Sequence, residues 1–279
     1  MALHIKNKDT EDLLEEGMKP PDKILTIAGS DSGGAAGLQA DLRAWAVLEA
    51  YGMSVITAVT AQNSLAVNAV QFMPPDFIAK QLDAVLSDYG AAAAKTGFLG
   101  RVDVIETVAA KLGQFNVPHI VIDPVLVNHR GERMFPPAVT QAYIDHLLSL
   151  AELVTPNVAE AGLLTGLQVG TLAQAKTAVH HLHNLGAKNI LLKRIPHENQ
   201  FVDLFFDGTQ MVKLETAVLD TKNTHGSGDT LSAAVCAFLA RGEGMETAVC
   251  QAHHFTATAI QNAATWQFSS GHGPIWPSH

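Results

Sequence analysis

The segment Thr224-His225-Gly226-Ser227-Gly228-Asp229 sets two glycines and a carboxylate where an extended stretch gives way to an apolar, alanine-rich run of helical period. The first N–H groups of a helix have no partners within it and, with the positive end of the helix dipole, they attract an anion. Glycines let that anion reach the backbone. Gly226, Ser227 and Gly228 therefore read as a phosphate cradle, with Asp229 close enough to act on a neighbouring hydroxyl. An ordinary N-cap with turn glycines has the same pattern, so the rest of the chain must decide.

Other reactive residue types fall after short apolar runs. Run 24–28 leads into Gly29-Ser30-Asp31-Ser32-Gly33-Gly34-Ala35-Ala36-Gly37, with Gln39 and Asp41 in the helix-like stretch beyond. This loop lacks the G-x-G-x-x-G spacing of a dinucleotide site and the Gly-Lys-Ser/Thr of a Walker loop. Run 54–60 ends in Thr60-Ala61-Gln62-Asn63, whose amides offer a donor beside an acceptor. Lys95-Thr96-Gly97-Phe98, Asp123-Pro124 and Thr155-Pro156-Asn157, with Glu160 one turn later, close three more runs. Each alone reads as a cap or turn. Together they converge on one edge of a sheet.

The elements that must position them form a βα alternation. Apolar runs at 24–28, 54–60, 91–95, 119–123, 152–155 and 189–193 are nearly continuous, as parallel strands buried on both faces require. Helix-period stretches fill the gaps, such as Leu38, Leu42, Trp45 and Leu48, or Ile78, Leu82, Val85 and Leu86 after Pro74-Pro75-Asp76. Past Lys193, runs 201–206 and 210–215 flank Asp207-Gly208 and predict an antiparallel hairpin at one sheet edge. Helices over about 227–241 and 245–263 complete a doubly wound sheet, in which ligands bind beyond the carboxyl ends of the strands. No linker or repeat divides residues 23–279, which read as one domain after a flexible, polar extension over 1–22.

With 279 residues, 47% of them hydrophobic, the chain can bury a sizeable core. Its net charge of −9 and lack of clustered Lys and Arg argue against nucleic-acid or anionic-membrane partners. No apolar run has the length of a membrane span, and no secretory leader pattern precedes the domain, so a cytoplasmic protein is expected. Cys236 and Cys250 lack metal-ligand spacing and read as free thiols. His180, His181, His183, His253 and His254 lie in helical stretches without metal-ligand partners and read as solvated faces.

Ala28-Gly29-Ser30-Asp31-Ser32-Gly33-Gly34, Gly37-Leu38-Gln39-Ala40-Asp41, Thr60-Ala61-Gln62-Asn63, Lys95-Thr96-Gly97, Asp123-Pro124-Val125, Thr155-Pro156-Asn157, Thr221-Lys222-Asn223-Thr224-His225-Gly226 and Gly271-His272-Gly273-Pro274 occur in order across about 23–275. This set resembles the hydroxymethylpyrimidine kinase / phosphomethylpyrimidine kinase family of thiamine biosynthesis. The resemblance implies a ribokinase-like fold: a three-layer α/β/α sandwich with a mainly parallel central sheet, here carrying the antiparallel edge hairpin. It implies phosphorylation of 4-amino-5-hydroxymethyl-2-methylpyrimidine, and of its monophosphate, by ATP with Mg²⁺. It further implies that Gln62 reads the aminopyrimidine edge and that Gly29, Ala36, Asp41, Phe98 and Val125 line the pocket. Lys193, Asn157, Glu160 and Thr224 would bind ATP, Asp123 and Glu160 would face Mg²⁺, and Gly226 to Asp229 would carry the transfer. The partner is a small pyrimidine, with a homodimer left open.

The chain departs from the family pattern at four places. Gly226-Ser227-Gly228-Asp229 stands where the branch has Gly-Thr-Gly-Cys, and an aspartate there is what the wider superfamily uses as base. Ala35 replaces a glycine and Phe98 a methionine, while Lys193-Arg194-Ile195-Pro196 replaces Lys-Gly-Gly-His. Two alternatives stand beside the main reading: a pyridoxal kinase of the same fold, and a pyrimidine-binding regulator without catalysis.

Overall fold

In a computed structural model of the protein, residues 20–198, 200–216 and 219–278 are described; the extension expected over 1–22 falls outside them except for its last three residues. Nine strands make one sheet: β1 (Lys23–Asp31), β2 (Tyr51–Gln62), β3 (Val67–Phe72), β4 (Ala93–Thr96), β5 (His119–Ile122), β6 (Leu153–Val154), β7 (Asn189–His197), β8 (Gln200–Phe206) and β9 (Met211–Thr216). Their order is β3-β2-β1-β4-β5-β6-β7-β8-β9. Strands β2, β1, β4, β5, β6 and β7 are mutually parallel. The expected hairpin is β8–β9, and β8 also pairs antiparallel with β7.

Two local readings need correction. The opposite edge carries a second antiparallel strand, β3 on β2, which the apolar pattern does not announce. Five of its six residues are exposed, so no buried face imposes a period on Val67–Phe72. The run 152–155 is a strand only over Leu153–Val154, because Thr155 already turns towards the next helix.

Successive strand residues face opposite cores. Ile24, Ala93, Val121, Leu153 and Leu191 pack against α1 (Gly37–Val47), α7 (Ser227–Ala240) and α8 (Met245–Ala263). Their neighbours Leu25, Ala94, Ile120, Ile122, Val154, Ile190 and Leu192 pack on the other face. That face is covered by α2 (Pro75–Asp88), α3 (Val102–Phe115), α4 (Pro137–Ala142), α5 (Val158–Thr165) and α6 (Leu172–Asn184). Three layers result, as the continuous apolar runs require. Among the described residues, no helix is long and apolar enough to cross a membrane.

The order reverses at β1, which has β2 on one side and β4 on the other. Crevices at such points receive ligands beyond the strands' carboxyl ends. A parallel pair of short strands, β10 (Asn223–His225) and β11 (Gly273–Pro274), ties a late segment to the turn before α7.

Candidate active site

Helix α7 starts after Gly226, whose φ of 82° and ψ of 5° are left-handed, and no described side chain caps it. A Cβ on Gly226 would lie 1.8 Å from the Ala35 carbonyl oxygen, so this turn presses directly on the first glycine-rich loop. Only glycine combines that conformation with that contact. Gly228 is bare for another reason: its Cβ would meet Lys193 Nζ at 3.3 Å and Asp123 Oδ2 at 3.8 Å. The uncapped start of α7 is thus flanked by an ammonium, and can hold an anion.

Behind this turn runs a buried chain of charges. Thr26 and Lys95 are register partners on β1 and β4, and both point towards α1 and α7. Lys95, with no exposure, donates to Asp41 and, at 3.1 Å, to Asp229 Oδ1. The Thr26 hydroxyl donates to Asp41 Oδ2 at 2.6 Å. Burial opposes the charge on Lys95, but Asp41 and Asp229 overcome it and hold its pKa above the ordinary 10.5. Burial works against ionised Asp229 as well; the Lys95 ammonium and hydrogen bond, with the Gly37 N–H, outweigh it and keep the carboxyl below its ordinary value. Asp41 takes the opposite shift, because burial dominates and Asp229 adds to it against the pull of Lys95. Asp229, its side chain 17% exposed, is therefore the ionised end of the chain that reaches the site.

A second charged group lies along the strand ends. Lys193 Nζ donates to Asp123 Oδ1 at 3.0 Å, and Ser232 on α7 donates to Asp123 Oδ2 at 3.3 Å. Burial again opposes the Lys193 charge, and Asp123 and Glu160 hold it in place. Asn157 and Glu160 form a capping box on α5: the Asn157 side chain accepts from the Ala159 and Glu160 N–H groups, and Glu160 accepts from Asn157 N–H at 2.9 Å. Burial lifts the Glu160 carboxyl to about 7, with Lys193 restraining it and Asp123 adding to the rise. Among the described residues, no three His, Cys, Asp or Glu side chains gather into a ready-made metal site. Two carboxylates with unused lone pairs beside an anion cradle nevertheless suit Mg²⁺, which keeps its waters and shares itself with phosphates.

On the opposite side, Asp31 folds the first loop by accepting N–H groups of Gly33 at 2.8 Å and of Ala35 and Ala36 at 2.9 Å. Phe98 packs on Gly29, where a Cβ would lie 3.2 Å from its ring, and it stacks on Phe72 with centroids 5.8 Å apart. Gln62 Nε2 lies 3.1 Å from His225 Nε2. The tail closes the wall: His272 N–H donates to Ser64 O at 2.9 Å, and its ring nitrogen pairs with Thr224 Oγ1 at 2.8 Å.

Among the sequence-derived candidates, Gly228, Lys193 and Asp123 meet at the start of α7, Asn157 and Glu160 lie beside Lys193 and Asp123, and Gln62 lies beside His225; three points need adjustment. Asp41 does not line the pocket: it is wholly buried behind Lys95. Asn157 and Glu160 are helix caps at the same time as they face Lys193 and Asp123. Thr224 is tied to the tail through His272. Val125 and Ala36 are half-buried. Arg194, where the family has a glycine, keeps a left-handed φ of 59°, its N–H donating to Asp203 at 2.7 Å and its guanidinium lying 4.9 Å from the Phe201 ring centroid. The solvated-histidine reading holds for exposed His180 and His254; His180 also stands edge-on to Phe206, as half-buried His183 does, and His253 lies 3.8 Å from Asp203.

Lys95, Asp31, His225 and His272 received no role from sequence reasoning. Lys95 did leave a signal, as a charge closing an apolar run that must be buried on both sides. His225 and His272 act across long chain separations, which no local pattern reveals.

The family model described as phosphomethylpyrimidine kinase matches residues 31–276. The hydroxymethylpyrimidine/phosphomethylpyrimidine kinase of Bacillus subtilis is 39% identical over 90% of this chain and 93% of its own. The thiamine biosynthesis bifunctional protein of Geobacter sulfurreducens is 40% identical over 92% of this chain, which spans only 52% of that protein's length. Among solved structures, the pyridoxal kinase of Staphylococcus aureus in complex with AMP-PCP and pyridoxal superposes with a TM-score of 0.84 at 35% identity, covering 92% of this chain and 93% of its own.

Proposed function

Since the chain belongs to the phosphomethylpyrimidine kinase family, we propose that it transfers a phosphoryl group from ATP to the hydroxymethyl group of an aminopyrimidine, and then to the monophosphate, in thiamine biosynthesis. The observation that carries this reading is the ionised Asp229 carboxylate, held by buried Lys95 at the uncapped start of α7. Phosphoryl transfer needs an acceptor oxygen, relief of developing negative charge and little else. Asp229 takes the hydroxyl proton. The N–H groups at the start of α7 meet the charge that grows on the phosphoryl oxygens, and Lys193 neutralises more of it. Asp123 and Glu160 would hold Mg²⁺, which when bound supplies charge neutralisation on the donor phosphates. Gln62 orients the ring, and Phe98 gives it an apolar face.

The reading includes a cytoplasmic setting and one catalytic domain over 23–279, acting alone or as a homodimer. A second reading, pyridoxal kinase, is favoured by the likeness to the Staphylococcus aureus enzyme. Turnover of Mg-ATP with an aminopyrimidine, its monophosphate and pyridoxal separates them. Product from the first two, in excess of product from pyridoxal, supports the proposal; turnover of pyridoxal alone, or of none, rejects it.

A further inference from the structure

Lys95 is one buried cation shared by two carboxylates. On one side it donates to Asp229, which reaches the site; on the other it donates to Asp41, which does not. Asp41 is fully enclosed, and the Thr26 hydroxyl donates to its second oxygen at 2.6 Å. Residues of β1, α1, β4 and α7 are thus drawn together around a carboxylate closed off from the crevice. Keeping such a group in the interior is costly, and Asp41 has no direct part in taking the acceptor's proton.

The charge balance of the transfer step gives it one. As the acceptor oxygen bonds to the γ-phosphorus and the bond from that phosphorus to the ADP oxygen breaks, the hydroxyl proton moves to Asp229, whose negative charge is thereby lost. Lys95 keeps its own proton and has lost one of its two anions. With Asp41 ionised, a buried ion pair remains. With Asp41 neutral, the ammonium is left buried without a counter-charge, which opposes the proton's arrival. We infer that Asp41 is a positioning residue for proton transfer: it acts through Lys95 as the standing counter-ion and so lets Asp229 accept the proton of the hydroxymethyl group. The inference rests on the assignment of Asp229 as the base in the reading above.

The ionisation of Asp41 then sets the pH at which the base works. Burial lifts its carboxyl to about 7; the Lys95 charge and the hydrogen bonds from Lys95 and Thr26 oppose the rise, and Asp229 adds to it. Cys236 on α7 lies within electrostatic reach of Asp41, and burial, with Asp41 adding, keeps its thiol protonated. Asp123 supports the charge on Lys95, and Lys193 supports that on Asp229. Asp229 stays below its ordinary value and is ionised across the same range. Below about 7 the counter-ion is missing and above it the counter-ion is present, so the transfer rate rises with pH through this range.

Single-turnover rates with saturating Mg-ATP, followed from about pH 5.5 to 9, test this in the wild type, Asp41→Asn and Thr26→Val. With 4-amino-5-hydroxymethyl-2-methylpyrimidine as acceptor, the wild-type rate should rise about ten- to a hundredfold through pH 7. Asparagine keeps the shape of Asp41 but is always neutral, so Asp41→Asn should hold the low-pH rate throughout, with pyrimidine and ATP half-saturation like those of the wild type. Thr26→Val removes a hydrogen bond from the Asp41 carboxylate and should move the rise to higher pH while keeping its height. The monophosphate acceptor, largely ionised at neutral pH, delivers no proton to Asp229, so Asp41→Asn should slow that step far less. Equal slowing of both steps would reduce Asp41 to a structural role and overturn the inference. An Asp41→Asn protein that keeps the wild-type rise overturns it too, as does one with a normal rate and a weakened pyrimidine half-saturation, which would place Asp41 on the substrate. If Asp41→Asn fails to fold, Thr26→Val decides, and an unmoved rise overturns the inference. Glu160, also lifted to about 7, and His225 are present in all three proteins, so the differences among them report Asp41. Should the wild type phosphorylate neither acceptor, the proposed function fails and the inference with it; should Asp229→Asn transfer as fast as the wild type, the base is wrong and the inference falls. Both results are distinct from an active protein that ignores residue 41.

Discussion

Asp229 and Lys95 form a working unit with opposite demands. The first acceptor is a neutral alcohol that needs a base; the second is a phosphate, already largely ionised at neutral pH, which meets Asp229 as a like charge. Asp229→Asn should therefore slow the first step by about a hundred- to ten-thousandfold and the second far less. Separate single-turnover rates check this, and an unchanged ratio of the two rates would remove Asp229 as the base. Lys95→Met leaves Asp41 and Asp229 buried without their cation and should cost about 3–5 kcal/mol in urea unfolding. The pH dependence has a definite sign. Because the folded pKa of Lys95 lies above 10.5, its contribution is complete below 10.5 and is lost as pH rises through the folded value. The wild type should keep its advantage over Lys95→Met at neutral pH and lose it only in strong alkali. The glycines and Asp229 were legible in the sequence because a helix start with bare backbone has a local signature. The link from Lys95 to Asp41 and Asp229 was not, since it joins residues on β4, α1 and α7.

The turn ahead of α7 separates two uses of glycine. Gly226→Ala places a methyl against Ala35 O and forces φ of 82° on an L-residue, so it should lower unfolding stability by at least ~2 kcal/mol. Gly228→Val meets only the movable end of Lys193 and the Asp123 carboxylate, so the protein should fold while kcat falls by about a hundredfold or more. Denaturation midpoints and steady-state rates on both variants test the division; equal loss of stability would erase it. Legibility follows the same physics among the strands and helices. Helix α8, expected over 245–263, runs Met245–Ala263, because Gly244 before it marks its start and a buried stripe within it marks its face. Strand β3 is not legible in the sequence, because a nearly exposed edge strand is under no patterning constraint.

Across the whole molecule, burial on both faces of the sheet makes neighbouring residues equally costly to remove. Leu191 and Leu192 lie in different cores, and both are fully buried. Leu191→Ala and Leu192→Ala should each destabilise by about 2–5 kcal/mol in chemical denaturation. A mild effect at either position would mean that one helix layer packs loosely. The tail has a different consequence, one of timing. The last strand of the sheet ends at Thr216, yet the crevice wall is finished by His272 bonding to Ser64 and Thr224. During synthesis the earlier part of a chain can begin to fold before the later part exists. Helices α7 and α8, which cover one face of the sheet, and the segment around His272 all follow Thr216, so a ribosome must deliver the last part of the chain before that core closes and the crevice wall is finished.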